Sequence, residues 1–288
     1  MLPILIYGTT LGFTLALIAI GLSLVFGVAR IINFAHGAFF AIASYTLYLF
    51  FITLNIPLPV SMILALVSTA AISVIMYIIS LSRVRGMELN EMIITLAFTI
   101  IVIELLRIYF GPSPLGVPSF MKGGITIAGY VVDMQRIFIV VISLATLAAL
   151  AFLVKKTRIG IGMRALAQDE DAAMLIGVNR EKMCIISLAI SAILAGIAGI
   201  SVTPIMTASL EGAWYALLNG IAIVILGGLG SLVGSLIAAF IIGYAEIIIA
   251  TYVSSHLKSI VALIFIIVIL ILRPSGIMGR HHEIEERV

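Results

Sequence analysis

Ionised side chains are what this sequence has least of. Only 10% of its 288 residues are Asp, Glu, Lys or Arg, against roughly 25% in a soluble domain. So few charges cannot coat a globule in water. With 63% hydrophobic residues and a mean hydropathy of +1.31, the solvent of this chain is a bilayer. Cysteine is almost absent: Cys184 stands alone, which excludes an internal disulfide and a cysteine metal cluster. The net charge of +3 is too small to point to nucleic acid. There is no G-x-x-x-x-G-K-[ST], no H-E-x-x-H and no G-x-S-x-G. His36, His256, His281 and His282 share no spacing that suggests a metal site inside a membrane. The expectation is a chain that is not an enzyme and binds no cofactor itself. MLPILIYG lacks a basic region before its apolar run, and that run is too long for a cleavable signal.

What is present is long apolar runs. Residues 1–29 and 31–82 carry no ionised side chain, and Pro57 and Pro59 break the second run. A helix needs about 20 apolar residues to cross the hydrocarbon. The runs predict spans over 2–28, 35–54, 60–81, 91–110, 137–154, 184–204, 214–229, 233–251 and 257–272. The seventh and ninth are short, so the expected count is eight or nine. Barrel strands would alternate apolar and polar residues, and these runs do not. The fold class is therefore all-α, a single transmembrane domain over 1–288.

Lys and Arg set the orientation. Arg83 and Arg85 lie in the 81–90 loop, and Lys155, Lys156, Arg158, Arg164, Arg180 and Lys182 in 155–182. The tail adds Arg273, Arg280 and Arg287. These regions should be cytoplasmic. The loops near 55, 111–136 and 205–213 hold only Lys122 and Arg136 and should face outward. Nine spans then put the N-terminus outside and the C-terminus inside. Tyr109, Phe110, Trp214 and Tyr215 fall near the outer ends, where belt aromatics sit. Small residues at helical spacing (Gly8 and Gly12, Gly196 and Gly199, Gly230 and Gly234) suit close packing within the chain, or against a partner permease.

Several polar features interrupt the hydrocarbon. In GVARIINFAHG (27–37), Arg30, Asn33 and His36 follow i, i+3, i+6, which on a helix places them near one face. They mark either a short cytoplasmic turn or a broken helix bordering a translocation path, with Asn33, His36 and Gly37 on the path or at an interface. Glu104 and Arg107 can pair at i, i+3. Glu246 is mid-span with no partner on its own helix, so it needs a partner across helices, a proton or water. Glu104, Asn219 and Glu246 complete the set of path or interface candidates. GGLGS (227–231), with Gly234, holds four glycines in eight residues. It predicts a tight turn between spans, or alternatively a re-entrant element lining a pore.

The charge missing elsewhere is concentrated in 160–177, GIGMRALAQDEDAAMLIG. Asp169, Glu170 and Asp171 begin a short helix where its dipole favours them. Ala172 and Ala173 leave room for another protein, Met174, Leu175 and Ile176 offer an apolar patch, and Gly177 ends the helix. The form acid-Ala-Ala-x-x-x-Gly resembles the EAA loop of ABC importer permeases, with Asp171 in place of Glu. GLSLVFGVARIINFAHGAFFAIASY (21–45), 164–199, 214–239 and LILRPSGIMG (270–279) together resemble the permeases of branched-chain amino acid ABC importers, the LivH type. INFAHG is the most specific part. The resemblance implies a homologous second permease, two cytoplasmic ATPase subunits that use the ATP, and an extracytoplasmic amino-acid-binding protein, in a prokaryotic inner membrane. It makes 155–182 the coupling loop. Related permeases are similar in sequence yet handle urea or short amides. An ion- or proton-coupled carrier using Glu104 and Glu246 as ion sites is the rival class.

Overall fold

The computed structural model describes residues 1–278, apart from 128, 255, 256 and 274. His256, Arg280, Arg287 and the histidine pair at 281–282 lie outside the described residues. Eight described helices are long and apolar enough to cross a membrane. In chain order the helices are α1 (Leu2–Ala29), α2 (His36–Tyr48, continued by a π turn Leu49–Thr53), α3 (Leu58–Ile79), α4 (Glu88–Phe110), α5 (Met134–Lys156), α6 (Arg158–Gln168) and α7 (Glu170–Leu175). They continue as α8 (Arg180–Met206), α9 (Leu210–Gly227), α10 (Leu232–Tyr252) and α11 (Lys258–Leu272).

The seventh span is longer than its apolar run, because Ser209 caps α9 through Gly212 N–H (3.2 Å) and adds Leu210–Ala213. The ninth is short. Fifteen residues rise only about 22 Å, against about 30 Å of hydrocarbon. Its far end still returns to where α9 finishes. Ile277 N–H donates to the Leu226 carbonyl (2.8 Å) and Met278 N–H to the Gly227 carbonyl (3.0 Å). One departure from an all-α chain is a hairpin between α4 and α5, β1 (Gly124–Ile127) paired antiparallel with β2 (Tyr130–Asp133).

The contacts sort the connections into two ends. The α1–α2 break, the 81–87 turn, α6, the 228–231 turn and 276–278 gather at one. That end carries nearly all the loop Lys and Arg and is called here the basic end. The 111–133 and 207–209 connections share the other end, joined by reciprocal backbone bonds between Leu115 and Ala208 (2.9 and 2.8 Å). Of the four aromatics expected at the outer boundary, Tyr109 and Trp214 are exposed. Phe110 instead packs on Tyr45 and Tyr48, and the Tyr215 hydroxyl turns inward to a carboxylate. A buried acid outcompetes the interface for that phenol.

The most enclosed helix is α1, which lies against α5, α8, α9 and α10. Its small residues are the reason. A Cβ at Gly243 would come within 2.9 Å of the Gly12 Cα and N atoms, so α10 rests on bare α1 backbone. Gly8 makes room for the Tyr244 ring, whose hydroxyl meets Thr9 Oγ1 at 2.7 Å. Gly199 seats the Phe40 carbonyl, and Gly234 seats that of Gly227. The small-residue pairs serve packing within this chain. The glycine-rich segment is a turn, with φ of 99° at Gly228 and 78° at Gly230.

Gly243→Leu should drive α10 off α1 and cost about 1–3 kcal/mol or more. Gly116, where a Cβ meets nothing within 4 Å at ordinary φ, should accept alanine silently. Thermal unfolding of the two variants in detergent checks the contrast.

Candidate coupling segment and buried polar sites

The basic loop folds into two short capped helices. Thr157 caps α6 through Gly160 N–H (3.1 Å). Met163 and Leu166 are buried against the membrane helices. Asp169 ends α6 and also starts α7, its Oδ1 accepting from Ala172 N–H (3.0 Å). Gly177, at φ 89°, closes α7: its N–H reaches the Met174 carbonyl and the next N–H, of Val178, the Ala173 carbonyl, both at 3.0 Å. A Glu170–Arg180 ion pair ties α7 to α8. The result is a helix with one face outward. Leu175 is 88% and Ile176 78% exposed, with Met174, Asp171 and Ala172 also exposed. Ala173, expected to meet a partner, is 2% exposed. With only six residues, α7 must rest one face on its own chain, and Ala173 supplies it.

The second site is the break between α1 and α2. Arg30, Asn33 and His36 do not share a helix face, because residues 30–35 are not helical. Arg30 ends α1 in the left-handed conformation (φ 55°) and is exposed, whereas Asn33 and His36 are buried. Buried backbone outside a helix must find internal partners, and here side chains provide them. Thr95 Oγ1 accepts from Phe34 N–H (3.2 Å), and Thr99 Oγ1 donates to the Phe34 carbonyl (2.9 Å). Asn33 Oδ1 accepts from Ala35 N–H (3.0 Å), and Arg85 Nη1 donates to the Ala29 carbonyl (3.0 Å). His36 opens α2 with Nδ1 3.1 Å from Ser191 Oγ, its ring packed into the space left by Gly21. Gly37 lies directly on the Ala213 carbonyl of α9.

The third site joins α9 to α10. Glu246 is fully buried, and Tyr215 Oη donates to its Oε2 (2.7 Å). The partner lacking on α10 is supplied by α9. Asn219, one turn along, donates to the Tyr215 carbonyl (3.1 Å) and is itself buried. Glu104 is placed differently. It pairs with Arg107 at 3.0 Å, and both are half exposed on the outside of α4. The structure thus pairs Glu246 with Tyr215, a turn along α9 from Asn219, keeps Asn33, His36 and Gly37 together at the break, and leaves Glu104 with neither group. Thr95, Thr99 and Ser191 were not singled out in the sequence, and Tyr215 was read only as a boundary aromatic. A Thr pair at i, i+4 in an apolar run was the readable signal for the first two. Among the described residues, no cluster of His, Cys, Asp or Glu could hold a metal.

A family model described as the branched-chain amino acid transport system / permease component matches residues 4–270. The chain belongs to this family. The high-affinity branched-chain amino acid transport system permease protein LivH of Salmonella typhimurium is 29% identical over 95% of the chain and 94% of its own length. A probable LivH of Methanocaldococcus jannaschii is 30% identical over 92% and 88%. Among solved structures, PsaBC from Streptococcus pneumoniae, in complex with Fab, aligns with a TM-score of 0.55 over 94% of this chain and 92% of that one. At 12% identity it supports the architecture alone.

Thr99→Val removes the donor to the Phe34 carbonyl with almost no change of shape. A buried orphan of this kind costs about 1–3 kcal/mol. Thr46→Val should cost less, because the Thr46 hydroxyl serves only carbonyls of its own helix. Melting temperatures of the two variants in detergent decide this.

Proposed function

We propose that this chain forms, with a homologous second permease, the membrane pathway of an ATP-driven importer. Its cargo is branched-chain or other hydrophobic amino acids handed over by an extracytoplasmic binding protein. Two cytoplasmic ATPases supply the energy, and α7 docks one of them. The membrane is the prokaryotic inner membrane, with the basic end cytoplasmic. The observation that carries the reading is α7 itself. It is a preformed helix that turns Leu175 and Ile176 outward at the basic end, and exposed apolar patches of this kind mark partner sites. The family and its relatives' names support the cargo class. The two buried polar sites, at the α1–α2 break and at Glu246, are then polar packing or path residues rather than coupling-ion sites. Glu246, already engaged by Tyr215, fits that role.

The joint change Leu175→Asp and Ile176→Asp should weaken ATPase co-purification roughly tenfold or more and abolish ATP-coupled uptake, with membrane abundance unchanged. Full uptake by this variant would remove α7 from the docking site.

Glu246→Gln, which keeps shape and can still accept from Tyr215, should retain substantial ATP-driven uptake in proteoliposomes. The chain alone should show no uptake driven by an imposed proton or sodium gradient. Gradient-driven uptake lost in Glu246→Gln would instead favour a secondary carrier.

A further inference from the structure

Two hollows of opposite chemistry meet at the basic end. The larger, of about 450 Å³, lies between the end of α1, α6 and the start of α10. Its polar wall is Arg30, Arg164, Gln168 and Ser231. Both arginines are exposed, and among the described residues neither is in an ion pair. Arg164 Nη2 reaches only the Lys155 carbonyl, at 3.4 Å. Ser231 caps the N-terminus of the 21-residue α10, so the positive end of that helix dipole faces the same space. The smaller hollow, of about 110 Å³, is a wholly apolar groove. Ile31 and Ile32 of the α1–α2 break and Ile221, Val224 and Ile225 of α9 line it. Phe26 and Leu229 belong to both, so the groove opens beside the cationic pocket.

We infer that this pair of hollows binds one anionic phospholipid of the leaflet at the basic end. The phosphate lies between Arg30 and Arg164, and an acyl chain runs past Phe26 and Leu229 into the groove. The argument is charge and shape complementarity. Two unpaired guanidinium groups and a helix N-terminus call for an anion. A charge-free groove directly beside them calls for hydrocarbon on the same molecule. The position, at the ends of membrane helices, is where headgroups lie, and basic pockets between spans at this level take anionic headgroups. A free phosphate would use the pocket and leave the groove empty. Because Arg164 belongs to α6 and Arg30 to the end of α1, the headgroup bridges the coupling segment to the most enclosed helix.

The test is lipid retention, which is read without transport, so it stands or falls apart from the importer reading. The protein, purified with its co-purifying subunits, is placed in bilayers of equal phosphatidylglycerol and phosphatidylcholine and released into native mass spectrometry. Phosphatidylglycerol should be retained in preference to phosphatidylcholine. Arg30→Gln with Arg164→Gln should lower that retention on the order of tenfold, while Lys122→Gln, at the opposite end, leaves it unchanged. Ile225→Trp, which fills the groove and keeps both arginines, should lower it too. Unchanged retention in either the arginine or the tryptophan variant overturns the assignment. Displacement of the lipid by inorganic phosphate alone overturns it as well and assigns the pocket to free phosphate.

Discussion

A backbone group shut away from water must find its hydrogen-bond partner within the protein, and that constraint organises this molecule around the break between α1 and α2. Residues 30–35 leave the helical ladder within the helix bundle. The backbone groups they bury must be met by protein. Thr95 and Thr99 meet Phe34, Asn33 meets Ala35, and Arg85 meets the Ala29 carbonyl, the last of α1. Thus α4 and the 81–87 turn are held to the α1–α2 junction by need as well as by packing. Arg85 extends the network further, lying 3.8 Å from Glu91 and 3.2 Å from the Cys184 sulfur of α8.

Around that junction the helices are drawn together by absence of bulk. A bilayer gives apolar side chains little reason to prefer each other over lipid, so close backbone contact carries more of the association. Contact between Gly12 and Gly243 lets α10 lie on α1, and Gly37 does the same for α2 on α9. The outer helices α3, α4 and α5 bury much smaller shares of their spans. An enclosed centre of α1, α2, α8 and α9 is flanked by helices that leave most of their surface uncovered by this chain.

Most of the fold was legible in composition alone. Charge-free runs located the spans to within a few residues, and Lys and Arg marked the loops that gather at one end. The misses have physical causes. Polarity at i, i+3, i+6 suggested a helix face across Arg30, Asn33 and His36, because sequence spacing does not reveal that α1 has already stopped at Arg30 in a left-handed turn. Ala173 read as a contact residue because Ala-Ala does not say which alanine faces out. Tyr215 looked like a belt aromatic because its partner, Glu246, lies 31 residues away on another helix. The start and end of α7 were readable, since its caps are local: Asp169 and Gly177 act on neighbours within a few residues.

Those caps have a consequence for association. A loop that folds on contact loses conformational freedom at that moment, and the loss is subtracted from its affinity. In α7 both termini are already closed and Glu170 is already paired with Arg180. The helix is complete before anything touches it. A partner docking there would meet a preformed apolar key of a few side chains, and little of the binding energy would go to ordering the helix.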